Sequence, residues 1–370
     1  MQISLLSRFQ GTLVGAAVGD ILGAYRQQEG GKQHTLSWLD SHHWQLGPLY
    51  PSSSPAWGSQ WVDWLNDWIG TDGRNWSHLG QSCREIKLRN PAASAIALLP
   101  LIVISHDHPT RQRQALASTI NQAGWDSAAL VAALIVAAVI NLALQNRLAP
   151  ARVISHLSSQ IKELGHPANN QQLKNNPLSD PEVLSDALTL LQVIQTLVRQ
   201  PAELAATAEL LQEISTPFRA LGLALYCFLS TPEEYGLTVI RALRWGDQPQ
   251  LAATLAGILA GVYNGLGGIP IAWRLGIQRP QAGSAAISIL WRIPSERILS
   301  QLSEVLLANW AGADLGVAQA INFERPIHTF ENSPFENSPF ENSPFENSAF
   351  ENSAFENSVF ESSTFESSSL

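Results

Sequence analysis

Charge is scarce in this chain of 370 residues: Asp, Glu, Lys and Arg together make up 14% of it, against about 25% in typical soluble domains. So little charge implies a large buried interior, with Gln, Asn and Ser covering much of what faces water. The charge present is also uneven. Eight Glu and no Lys or Arg follow Phe330, which leaves 23 acids against 22 bases in residues 1–329. The formal charge of −9 therefore belongs almost wholly to the C-terminal segment. No basic stripe is present, which excludes the electrostatic footprint of a nucleic-acid binder. Cysteine is nearly absent: Cys83 and Cys227 are too few and too far apart for a disulfide framework, which fits a reducing compartment. The first residues, MQISLLSRFQG, lack the basic region, long apolar run and small-residue cleavage site of a secretory signal. The most apolar window, residues 128–140, is 13 residues long before Asn141 interrupts it. That is short of the roughly 20 that a spanning helix needs, and its alanines suit a buried core helix. These absences predict a cytoplasmic protein with neither nucleic acid nor membrane among its partners.

Strand signals are almost missing too, because alternating runs of Val, Ile, Thr and aromatics hardly occur. Helical patterns take their place. Residues 180–199 open with Asp180 as an N-cap, Pro181 in the first turn and Glu182 behind it. Leu184, Leu188, Leu191 and Ile194 then recur at helical spacing. Residues 231–244 repeat the device, with Thr231 and Pro232 before Glu233 and Glu234. Residues 115–123, 128–144 and 202–214 favour helix as well. The predicted architecture is all-α, with one helical body over residues 1–329 in which residues 34–89, richer in Trp, Ser, Gly and Pro, read as an irregular insertion.

From Phe330 to Leu370 the sequence repeats every five residues, Phe-Glu-Asn-Ser-Pro drifting to Phe-Glu-Ser-Ser. A period of five suits neither helix nor strand. A miniature pentapeptide β-helix would point Phe330, Phe335 and Phe340 inward, but Pro334 and Pro339 remove backbone donors its coils need and every coil is acidic. A disordered low-complexity extension is the better reading, and its evenly spaced Phe side chains suit recruitment of a protein partner.

Two segments carry more information. Residues 9–24 read FQGTLVGAAVGDILGA, so Gly11, Gly15, Gly19 and Gly23 line one helix face, with Asp20 the only carboxylate. Glycine costs roughly 1 kcal/mol in a helix interior, and a full stripe implies close approach of another helix or of a ligand. Residues 232–273 read PEEYGLTVIRALRWGDQPQLAATLAGILAGVYNGLGGIPIAW. The first segment closely resembles the opening of the ADP-ribosylglycohydrolase family, the dinitrogenase reductase activating glycohydrolases and their relatives, including its Gly-Asp-x-x-Gly-Ala end. The second resembles the family's helix, Gly-Gly-Asp-Thr-Asp-Thr motif, Ala/Gly-rich helix and Ile-Pro-x-x-Trp exit. Ala242, Gly246, Gly257, Gly261, Gly265, Ile269, Pro270 and Trp273 fall into that pattern without a gap. Residues 105–109, SHDHP, resemble the family's Thr-His-x-x-Pro step. The resemblance spans most of residues 9–275 and implies a compact orthogonal multi-helix domain.

It also implies a chemistry. The family's enzymes remove ADP-ribose from protein side chains or related acceptors, typically with two Mg or Mn ions held by carboxylates. Such hard cations want charged oxygen ligands, and a pair of them can orient the ribose and activate water. Carried across, the late motif falls on Gln248, Pro249, Gln250 and Leu251. Gln248 and Gln250 are thus vestigial metal positions, with no charge to offer. Asp247 stands where the family has glycine, and a one-residue shift on a helix re-aims a side chain by about 100°. The family's early Thr-Asp-Asp-Thr motif should fall near residues 57–68, WGSQWVDWLNDW, where no Asp-Asp pair exists. Asp63 and Asp67 share a helix face by spacing, yet the tryptophans around them suit a packed amphipathic helix whose acids face water. His106 and His108 form a His-x-His pair without a nearby cysteine. With Pro109 behind them they read as a helix N-terminus capped by Ser105 or Asp107 rather than as a zinc site. No nucleophile elbow and no phosphate loop occurs, and nothing distinguishes Arg74 or Arg89 as phosphate contacts.

Two functional readings follow. In the first, the chain is a catalytically silent member, a binding or structural module with no metal expected and ADP-ribose or an ADP-ribosylated protein as its partner. In the alternative it is an active hydrolase with a rebuilt site, in which Asp20, Asp63 and Asp247 hold Mg or Mn.

Overall fold

A glycine face has to meet something, and in the computed structural model it meets a second glycine face. The structure describes residues 3–28, 49, 56–70, 77–88, 90–165, 180–200, 207, 209–211, 216–244, 248–281 and 283–313. Helix α1 (Leu5–Gln28) is buried at every position from Gly11 to Tyr25. It is followed by α2 (Trp57–Gly70), α3 (Ser77–Arg84), α4 (Ser94–Ala97), α5 (Leu99–Ile104), α6 (Pro109–Ala123), α7 (Ser127–Leu144) and α8 (Pro150–Leu164). Then come α9 (Pro181–Arg199), α10 (Arg219–Ser230), α11 (Tyr235–Arg244), α12 (Pro249–Asn264), α13 (Ile271–Gly276), α14 (Ala286–Leu290) and α15 (Glu296–Trp310). Among the described residues the strands are the antiparallel pair β1 (Pro280–Gln281) and β2 (Ser284–Ala285), with Gln281 opposite Ser284. The domain is all-α, as its composition and periodicity predict.

Helices α1 and α12 touch backbone to backbone. A Cβ on Gly11 would collide with the Gly261 carbonyl, one on Gly15 with the Gly257 carbonyl, and one on Gly19 with the Ala253 carbonyl. The constraint is mutual, since Gly257 and Gly261 face the carbonyls of Gly15 and Gly11. The roughly 1 kcal/mol that each interior glycine costs is offset by dispersion between two main chains at contact distance. Tyr235 of α11 closes one side of the seam, donating its buried hydroxyl to the Gly15 carbonyl at 2.9 Å. Arg8 closes the far end. Its Nη1 donates to the carbonyls of Val262 and Tyr263, each at 3.0 Å, satisfying last-turn acceptors of α12 that have no partner within the helix.

Helix α7 forms over the residues expected of it, and Asn141 does not end it. It runs through that residue to Leu144, so its 18 residues are long and apolar enough to cross a bilayer, yet 78% of them are buried inside the fold. Asn141 is accommodated by a reciprocal amide pair with Gln112 of α6. Its Nδ2 donates to Gln112 Oε1 at 2.8 Å, and Gln112 Nε2 donates back at 3.2 Å and to the Ile102 carbonyl at 2.8 Å. A buried amide so paired avoids the penalty of an unmet donor.

Other local expectations divide. Asp180 caps α9, its carboxylate accepting from the Glu182 amide at 3.1 Å. The helix expected over residues 231–244 starts instead at Tyr235, because Thr231 ends α10 and donates its hydroxyl back to the Cys227 carbonyl at 2.9 Å. The insertion-like region 34–89 contains α2 and α3. Most of residues 202–214, and all of 330–370, lie outside the described residues.

Candidate functional site

The seam decides which side chains meet. A Cβ on Gly23 would collide with Gln250, so the first turn of α12 lies directly against α1 and Gln250 comes level with Asp20. Asp20 is only 3% exposed. Gln250 Nε2 donates to its Oδ1 at 3.1 Å. The hydroxyl of Thr254 lies 3.2 Å from the same oxygen and 2.7 Å from the Gln250 carbonyl, so its single proton is shared between them. The other oxygen, Oδ2, accepts the indole N–H of Trp291 at 2.9 Å.

Trp291 follows α14 and is itself completely buried. Its ring meets Trp61 of α2 edge to face at 5.0 Å, and its carbonyl accepts the Ser59 amide at 3.0 Å. Gly58 has no room for a side chain because Trp291 fills the place. Gln248, the N-cap of α12, makes no side-chain cap. Its Oε1 instead accepts from Asn90 Nδ2 at 3.0 Å, while Asn90 Oδ1 caps the Ala92 amide at 2.8 Å. Both glutamines of the late motif are therefore engaged in amide hydrogen bonding.

Burial raises the Asp20 pKa to about 6, against the opposing hydrogen bonds from Trp291, Gln250 and Thr254. All three partners are uncharged, and among the described residues no Lys, Arg or His pairs with the carboxylate. Such a residue set binds an anion or its neutral acid. A divalent cation requires lone pairs directed at it, and here both oxygens of Asp20 face protons. The described residues also contain no group of three or more His, Cys, Asp or Glu that could hold a metal ion. The site as built does not fit the family's cations.

The family model for the ADP-ribosylglycohydrolases matches residues 1–301. This chain belongs to the ADP-ribosylglycohydrolase family. No curated protein matches it. The match takes in the glycine seam, Asp20, both glutamines and Trp291.

Among the described residues, the others singled out in the sequence do not join this centre. Asp63 and Asp67 are exposed on α2, and the helix buries Trp57, Trp61, Trp64 and Trp68 instead. Asp247, Arg74 and Arg89 lie outside the described residues. The His-x-His pair does not converge: His106 is buried, with Nδ1 held 2.8 Å from the Val103 carbonyl, while His108 is exposed beside Asp107 at 3.6 Å. Burial lowers the His106 pKa. The capping expectation there is corrected too. His108 is the N-cap of α6 without a side-chain bond, and Ser105 donates to the Leu101 carbonyl at 2.5 Å. Sequence reasoning missed Trp291, Thr254 and Asn90. Only Asn90 carried a local signal, an Asn-Pro step at a helix start.

Proposed function

We propose that this chain is a cytoplasmic, catalytically silent member of its family, kept as a binding or structural module. The observation that supports this most is the Asp20 carboxylate, enclosed and held by Gln250, Thr254 and Trp291. The metal-ion mechanism implied by the family needs several carboxylates converging on a shared space. This chain puts amides at both late-motif positions, and each hydrogen-bonds to a neighbour: Gln248 to Asn90 and Gln250 to Asp20. Such a centre can stiffen the domain where α1, α12, α2 and the segment after α14 meet.

Calorimetric titration with ADP-ribose, with and without Mg or Mn, tests the reading alongside a hydrolysis assay on an ADP-ribosylated protein. Silence predicts no turnover and no metal-dependent binding. Binding that ignores metal makes the protein a reader of ADP-ribose or of ADP-ribosylated partners. Metal-dependent micromolar binding with release of ADP-ribose refutes the proposal and restores an active hydrolase around Asp20 and Asp247. The Phe-Glu-Asn-Ser repeat is the proposed recruiting element, so deleting residues 330–370 should abolish partner capture while leaving ligand titrations unchanged.

A further inference from the structure

Large apolar side chains seldom reach the surface of the described residues, and three that do fall together. Ile271, Leu275 and Leu237 are 61%, 51% and 44% exposed. A lone exposed aliphatic needs no explanation, whereas a group of them marks a contact surface. Ile271 and Leu275 are one turn apart on α13 and share a face, with exposed Ala272 beside them. Leu237 follows Gly236 of α11, where a Cβ would lie 3.6 Å from Pro270 and Trp273. A helix of six residues does not hold itself together, and α13 is held from behind. Trp273 is buried edge to face against Tyr235, with ring centroids 6.1 Å apart. Arg274 Nε donates to Glu296 Oε1 of α15 at 2.8 Å, and Gln278 Nε2 donates to the Arg274 carbonyl at 2.9 Å. The inward residues fix the helix, and the outward ones are aliphatic. The exposed Gly267 and Gly268 just before it add no side chain to shield Ile271.

Charge is polarised along this face. Glu233 and Glu234 lie toward the N-terminal end of α13, where the Pro232 carbonyl accepts Asn264 Nδ2 at 2.8 Å and Gly236 faces Pro270. Arg279 lies at the opposite end, its amide donating to the Gly276 carbonyl at 3.2 Å. All three side chains are exposed, and among the described residues none of them has an ion-pair partner. We propose that this face docks a second copy of the chain, α13 against α13 about a two-fold axis. The two helices then run antiparallel, so Ile271 of one copy meets Leu275 of the other and the converse holds. The same operation brings Glu233 and Glu234 of each copy toward Arg279 of the other. A parallel pairing would instead set acids against acids, so the charge pattern selects the two-fold. The patch is small, which places the dimer in the weak, exchanging class.

Sedimentation velocity on the full chain tests this. At low salt, wild type is expected to show a reversible monomer–dimer equilibrium between about 1 and about 100 µM. Ile271→Glu and Leu275→Glu should each weaken it about tenfold or more. Far-ultraviolet circular dichroism should stay unchanged, because both side chains already face water. Arg279→Glu should weaken the dimer about threefold or more at low salt and less at high salt. Adding Glu233→Arg and Glu234→Arg to that variant should restore it, because the charge pattern is then reversed but still self-complementary. A chain that stays monomeric over the whole range overturns the proposal. So does a dimer indifferent to Ile271→Glu and Leu275→Glu, whose interface must lie elsewhere. Loss of the dimer in Arg279→Glu with no recovery in the triple variant overturns the antiparallel docking.

Discussion

Replacing Gly257 by alanine tests the seam that brings Asp20 and Gln250 together. Three contributions set the magnitude. Alanine improves helix propensity by roughly 1 kcal/mol over glycine. Against that, the new methyl would collide with the Gly15 carbonyl, and forcing an extra group into a close-packed contact typically costs about 1–3 kcal/mol. The same methyl would lie 3.2 Å from the Tyr235 hydroxyl, which donates to that carbonyl. Displacing this buried hydrogen bond costs about 1–3 kcal/mol more. The balance is a net loss of about 3 kcal/mol, which for a domain of this size lowers the Tm by roughly 5 °C. Thermal unfolding followed by far-ultraviolet circular dichroism measures it. Gly267→Ala is the control, because a Cβ there meets no atom within 4 Å, and it should stay within about 0.5 kcal/mol of wild type. A Gly257→Ala protein as stable as the control would refute the backbone contact, since propensity alone would then govern the site.

Two further perturbations address other parts of the core. Asp20 has a folded-state pKa raised by burial to about 6, above the value of about 3.9 for an unfolded chain. The folded state thus favours the neutral acid, and the resulting stability is complete below about pH 4 and lost as pH rises through about 6. In urea unfolding, the stability of wild type relative to Asp20→Asn should fall by about 2 kcal/mol between about pH 4 and about pH 7; a flat difference contradicts it. In the amide pair, Gln112→Leu or Asn141→Leu alone should cost about 1–3 kcal/mol by stranding the partner. The double variant should cost less than the sum, and strict additivity would show that the two side chains do not depend on each other.

How much of this was legible in the sequence depends on the distance over which each feature is decided. The α1 stripe was legible because four glycines at helical spacing have few other uses, and it predicted close approach of another helix or of a ligand; that the partner is α12 came only from the fold. Asp180 was legible because a cap is decided within three residues. The helix start at Thr231 was misread for the same local reason. A Thr-Pro-Glu-Glu step suits a helix entrance, yet Thr231 bonds backward to Cys227 and belongs to the preceding helix. Asn141 looked like the end of an apolar run because its partner, Gln112, sits on another helix 29 residues earlier. At the site, the family pattern identified Asp20, Gln248 and Gln250 as residues of interest. It did not reveal their hydrogen-bond partners. Trp291 sits in a short apolar stretch that reads as ordinary core, and only the folded chain brings it to Asp20.

The amide pair between α6 and α7 joins two segments that are made one after the other. During synthesis, α7 leaves the ribosome as an 18-residue apolar helix, of the kind that membrane-insertion machinery samples. Helix α12, which packs against α7, does not exist until residue 249 onward has been translated. Gln112 and the Ile102 carbonyl, by contrast, emerge before Asn141 does. The newborn helix can therefore satisfy its one interior amide at once against segments already outside the tunnel, and docking on α6 becomes an early, water-side alternative to the lipid phase. Asn141→Leu would remove both the polar marker and the early docking point, leaving an uninterrupted apolar segment for that machinery to sort.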